Sequence, residues 1–189
     1  MNARLLQLSL AVMFAVAFDA CAEPACKTTQ LKNPAPTLAE MYALAEGHAR
    51  GWKADAVPVQ ISNTTLGQLQ PNGSAASWHL LFYSESAKSR VSIDTFRGSL
   101  TCTADPGSAG RVPDLKPEFV RDGARLFAIA KLHGEALLAE GYGVMIGTAA
   151  APSNRHATWN INYHKDGAKD GGILVLVDAN TGAVEKVLK

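Results

Sequence analysis

Along Ala157–His164, ATWNINYH, apolar and polar side chains alternate at every step. Only an extended strand sorts such a pattern onto two faces. Trp159, Ile161 and Tyr163 fall on one side, and Asn160, Asn162 and His164 on the other. The first set suits a core and the second a wet surface. The chain then closes on the apolar run ILVLV, the turn Asp178-Ala179-Asn180-Thr181-Gly182, and AVEKVL as a final strand. The early part of the chain has the same outline. Trp78 opens WHLLFYS, SRVSIDTF follows, and Asp94 to Gly98 has the Asp-x-x-x-Gly spacing of Asp178 to Gly182.

A helix precedes each set of strands. Thr37 and Glu40 form a T-x-x-E capping box, and Leu38, Met41, Leu44 and Ala45 recur at helical spacing up to about Arg50. The second helix is expected from Pro117 in its first turn to about Glu140. Phe119, Val120, Leu126, Phe127 and Ala130 line one face, Gly134 allows a kink, and Gly141 lies past the end. AVPVQIS reads as a strand whose Pro58 suits a sheet edge. GVMIG is a further strand, and TAAAPSNR a loop. The all-apolar ILVLV suits a central strand covered on both faces.

The expected fold is therefore α+β, as two tandem helix-plus-antiparallel-sheet units. Residues 1–22 precede the fold as a signal peptide, 23–36 form an N-terminal arm and 37–104 the first unit. A linker at 105–116, rich in Gly and Pro, leads to the second unit at 117–189. Either unit alone is small enough to be marginal, because small domains bury a smaller share of their surface.

The signal reading rests on Arg4, the run LLQLSLAVMFAVAF, and Ala20-Cys21-Ala22 as a small-x-small cleavage site. The run falls short of the roughly 20 apolar residues of a spanning helix. In a second reading Cys21 is the acylated first residue of a lipoprotein, which Asp19 beside the apolar stretch fits poorly. Cleavage after Ala22 leaves Cys26 and Cys102, and in an oxidising compartment such a pair is expected to form a disulfide. Closing that loop contributes roughly 4 kcal/mol. A periplasmic or secreted location follows from the same reading.

Net charge is +1 with scattered basic residues, which argues against a nucleic-acid partner. Motifs for chemistry are missing from the sequence: it holds no HExxH, G-x-S-x-G, P-loop or dinucleotide fingerprint. No cofactor or metal is assigned. The five histidines, His48, His79, His133, His156 and His164, have either a ligand reading or a plain surface reading. On the first Trp strand, Trp78, Leu80 and Phe82 face the core, leaving His79, Leu81 and Tyr83 opposite. Leu81 and Tyr83 are unusual on a solvated face, so either another segment covers them or they meet a partner.

Trp159, ILVLV, Asp178-Ala179-Asn180-Thr181-Gly182 and AVEKVL, over roughly 120–189, resemble a PepSY-type domain. The first half departs from that pattern, keeping only the ends of the turn motif in Asp94-Thr95-Phe96-Arg97-Gly98. The resemblance implies a non-catalytic binding or inhibitory module, as in metalloprotease propeptides and bacterial envelope proteins. The tandem layout is also similar, in architecture alone, to bacterial inhibitors of β-lactamases. The expected function is thus an inhibitor or immunity-type partner of an envelope or secreted enzyme. Its partner-binding residues would be His79, Leu81, Tyr83, Asn160, Asn162 and His164. The alternative is a periplasmic small-ligand or metal-binding protein using the histidines.

Overall fold

The computed structural model describes residues 28–105, 115–150, 156–168 and 172–189. The expected signal segment, Cys21, Cys26 and most of the 105–116 linker lie outside the described residues. The elements run β1 (Thr29–Gln30), α1 (Leu38–Trp52), β2 (Val57–Asn63), β3 (Ser77–Ser84), β4 (Ser89–Phe96) and β5 (Ser99–Asp105). They continue with α2 (Gly123–Ala139), β6 (Gly143–Ala150), β7 (Ala157–His164), β8 (Leu174–Asp178) and β9 (Val184–Leu188). The strands make one antiparallel nine-stranded sheet in the order β1-β5-β4-β3-β2-β6-β7-β8-β9. Each helix is followed in the chain by four strands, and the order runs outward in both directions from the β2–β6 contact.

Both helices pack on the same side of this sheet. A single core joins Leu38, Met41 and Tyr42 of α1 and Leu126 and Ala130 of α2 to the inward positions of the strands. Those positions include Trp78, Leu80 and Phe82 on β3 and Trp159, Ile161 and Tyr163 on β7, as the alternation predicts. The indole N–H of Trp78 donates to the carbonyl of Pro36, and that of Trp159 to the carbonyl of Val120, each at 3.0 Å. A buried indole needs such an acceptor. Both carbonyls lie just ahead of a helix, so each tryptophan fixes where a helix enters the core.

Local chemistry explains the helix ends. The Thr37 capping box forms, with the Glu40 carboxylate accepting from the Thr37 N–H at 2.8 Å. A cap of this kind contributes about 1 kcal/mol. The second helix starts later than Pro117, because the Asp122 carboxylate caps it by accepting from the Arg125 N–H. Residue Gly134 has φ −134°, and a Cβ there would fall 2.2 Å from the Tyr163 ring. Only glycine lets that ring press into the helix, where the Tyr163 hydroxyl donates to the Ala130 carbonyl. The kink follows.

Three sequence expectations are corrected. Pro58 lies not on an edge strand but on β2, at the centre of the sheet. It is tolerated because β2 pairs with β6 only at Ser62↔Gly147, and a register shift next to Pro58 leaves Val59 as an extra residue. The two Asp-x-x-x-Gly stretches are not equivalent turns. Asp94 sits inside β4 opposite Thr101, and a two-residue turn at Arg97 (φ 48°) and Gly98 (φ 81°) joins β4 to β5. Finally, ILVLV is next to an edge, on β8, though Val175, Leu176 and Val177 are all buried.

The middle of the sheet is held by side chains. On either side of Ser62↔Gly147, a backbone N–H of one strand meets a side-chain oxygen of the other. The Ile61 N–H donates to Thr148 Oγ1 at 2.9 Å, and the Ile146 N–H donates to Asn63 Oδ1 at 2.7 Å. Asn63 Nδ2 donates in turn to the carbonyls of Gly67 at 2.9 Å and Val144 at 3.2 Å. The Asn63 side chain is thus spent on structure and is only 3 % exposed.

An unmet buried donor costs about 1–3 kcal/mol. Asn63→Ala should therefore lower unfolding stability by about 2–3 kcal/mol, and the nearly isosteric Thr148→Val by about 1–2 kcal/mol. Urea denaturation measures both, and losses below about 0.5 kcal/mol, the range of neutral surface changes, would contradict this view of the seam.

Candidate functional site

The sheet face turned away from the helices carries most of the polar chemistry. Cross-strand pairing places Asp94, His79, Ser62, Gly147, Asn160, Leu176 and Lys186 in one row across β4, β3, β2, β6, β7, β8 and β9. Neither helix covers this row. Four of the expected partner-binding residues, His79, Asn160, Asn162 and His164, share this face with its open surface. Leu81 and Tyr83 share the face but not the exposure. They are 8 % and 7 % exposed and form a small buried cluster with Val59. The extra residue in β2 is what adds Val59 to their side. Leu81 and Tyr83 are covered, so the accessible part of the expected surface is His79 and, for the most part, its β7 half.

There an open cleft of about 480 Å³ runs over β6, β7 and β8. Met145, Asn162 and Leu174 are cross-strand neighbours on its floor, with His164, Ile173 and Thr65 at its sides. Asn162 is exposed and His164 half-buried, with its Nε2 3.1 Å from Asp166 Oδ1. The lining mixes thioether and aliphatic surface with amide and imidazole groups, as a shallow recognition site requires.

At the β3–β4 end, His79 Nδ1 lies 2.7 Å from Asp94 Oδ1, and the Ser92 hydroxyl donates to Asp94 Oδ2. Ser, His and Asp meet, but in the wrong order for nucleophilic catalysis. A catalytic serine gives its proton to the ring nitrogen opposite the one facing the aspartate. Here Ser92 and His79 Nδ1 converge on the same carboxylate. The bond to Asp94 raises the His79 pKa, burial opposes the rise, and the Asp94 charge adds to it. Burial pushes Asp94 upward, but the His79 and Ser92 hydrogen bonds and the His79 charge together leave its pKa lowered.

A second cluster lies at the other end of the face. His156 Nε2 is 2.6 Å from Glu185 Oε1 and 3.7 Å from Asp178 Oδ2. Asp178 Oδ1 accepts from the N–H groups of Asn180 and Thr181, each at 2.8 Å, which holds the carboxylate and shapes the turn. Burial raises the Asp178 pKa, but the Thr181 and Asn180 backbone bonds, the Thr181 hydroxyl and the His156 charge together leave it lowered. Among the described residues, these three form the group of His and carboxylate side chains spaced to hold a metal ion. The sequence shows His156 and Asp178 but hides their convergence. Asp178 reads there as a turn residue, and nothing in AVEKVL marks Glu185.

No protein-family model matches the chain, no curated protein does, and neither does any solved structure. Among the described residues, no helix is long and apolar enough to cross a membrane.

The His79–Asp94 pair makes stability depend on pH. Raised His79 stabilises fully below the ordinary imidazole range, and that contribution fades as pH rises through its folded pKa. Lowered Asp94 stabilises fully above the ordinary carboxylate range, and that contribution is lost as pH falls through its folded pKa. Both act together between about pH 4 and 6.5. Asp94→Asn should therefore lower the melting temperature most near pH 5, with the gap to the parent narrowing by about pH 8. A gap of equal size at both pH values would show that the pair is not the source.

Proposed function

We propose that this chain is an exported, non-catalytic binding protein that occupies the functional surface of another protein. It acts as an inhibitor or immunity-type partner of an envelope or secreted enzyme. The observation that carries this reading is the one-sided sheet: both helices pack on one face, and the other offers an ordered, mixed-polarity surface with a cleft over β6–β8. A rigid face of that kind binds with little ordering cost. The misordered Ser92–His79–Asp94 group fits a binding role better than hydrolysis.

In this reading the chain is two PepSY-type units joined edge to edge. The mirrored strand order, the matched bonds from Trp78 and Trp159, and the reciprocal bonds about Ser62–Gly147 support that division. The signal peptide and the Cys26–Cys102 bridge belong to the same proposal. Cys102 lies on β5, half-buried beside the core, and the mass gained on reduction reads the bridge directly.

The contact residues are Asn160, Asn162 and His164, with His79 toward the far side of the face. The double variant Asn162→Arg, His164→Glu changes the cleft without touching the core. Leu132→Arg alters an exposed residue on α2 and serves as the control. In a pull-down from native envelope extract, the parent and the Leu132→Arg protein should retain the same enzyme, and the double variant should lose it. Equal retention by all three, or none by the parent, would sink the proposed face.

A further inference from the structure

We infer that His156, Asp178 and Glu185 form a binding site for a divalent transition-metal ion of the zinc class. This goes beyond the partner-binding reading and uses different residues. The three side chains come from the residue just ahead of β7, the end of β8 and the start of β9, so the sheet brings them together.

The β8–β9 register is what delivers the third ligand. Leu176 pairs with Lys186, but Val177 pairs with Val184, so Glu185 is an extra residue in β9. In an unbroken ladder Glu185 would lie opposite Val177, whose side chain belongs to the core. The bulge instead sets Glu185 Oε1 2.6 Å from His156 Nε2. Re-aiming one side chain is a recurrent use of such bulges.

The spacing fits a metal. Two donors each about 2.0–2.1 Å from a tetrahedral ion lie about 3.3 Å apart. The observed separations from His156 Nε2, 2.6 Å and 3.7 Å, bracket that value, and all three ligand atoms lie within 4.8 Å of one another. Small side-chain rotations close the difference. Asp178 has the outer support that metal ligands need: its Oδ1 is held by two backbone N–H groups, which leaves Oδ2 turned toward His156.

One imidazole nitrogen and two carboxylate oxygens, with water completing the shell, suit zinc-class ions. Calcium takes six to eight oxygens, which these residues do not supply. An imidazole must be neutral to ligate, so protons compete with the ion and binding weakens in acid. The side chains of His156, Asp178 and Glu185 are 28 %, 20 % and 32 % exposed, so an ion can enter from solvent.

Calorimetric titration of the untagged protein with Zn²⁺, and separately with Ca²⁺, tests the site. Zn²⁺ should bind saturably in the micromolar range at one ion per chain, and Ca²⁺ should not. His156→Ala should abolish binding, and Glu185→Gln should weaken it by at least about tenfold, the low end of what supporting-shell changes cost. His133→Gln, on α2, should leave it unchanged. Circular dichroism checks that each variant folds, and Co²⁺ absorption in the parent provides a second readout of tetrahedral coordination. Absence of saturable Zn²⁺ binding would overturn the site. So would binding that survives in both His156→Ala and Glu185→Gln, or a preference for Ca²⁺.

Discussion

Two strands that scarcely pair hold this molecule together. β2 and β6 share a single paired position, Ser62↔Gly147, yet they form the middle of a nine-stranded sheet. The ladder bonds missing there are replaced by Asn63 and Thr148, whose oxygens receive the Ile146 and Ile61 N–H groups. Buried backbone donors must be satisfied somewhere, and at this seam side chains do it. With the seam closed, the two helices can share one core, and the aromatic contacts of Phe119 with Tyr42 and Trp159 cross between the α1 and α2 regions.

One-sidedness has a consequence for function. With both described helices on one face, the opposite face carries polar groups in fixed cross-strand rows. That is where the His79–Asp94 pair, the cleft beside Asn162 and His164, and the His156 cluster all lie. Strand register places most of these side chains, so the ladders that stabilise the sheet also hold the site, with the turn at Asp178 fixing that carboxylate. A rigid surface of this kind suits steric occupation of a partner, and an ion at the β8–β9 end would further fix the turn at Asp178.

Much of the fold was legible in the residues. Period-two alternation placed β7 and sorted the faces of β3, and the Thr37 box placed the start of α1. Gly134 marked the kink. What misled was identity without context. Asp94 and Gly98 have turn spacing, but a strand residue and a tight hairpin satisfy it equally well. Pro58 pointed to an edge, because single-strand chemistry cannot show that a neighbour pairs only at the far end. The site was less legible still. Leu81 and Tyr83 were assigned to the correct face, but whether anything covers them is a tertiary matter. Glu185 reached its cluster through a one-residue bulge, which leaves no mark in AVEKVL. Bulges at Val59 and Glu185 decided which side chains meet, and only the paired strands reveal them.

The most direct test of the central claim is amide hydrogen exchange at Ile61 and Ile146, the two donors bound by side chains at the seam. If the seam joins the sheet into one cooperative unit, both amides should exchange as slowly as Leu80 and Ile93 within the β3–β4 ladder, through global unfolding alone. Fast exchange at Ile61 and Ile146, with protection kept at Leu80 and Ile93, would mean that the halves part at β2–β6 and that the seam does not hold the fold together.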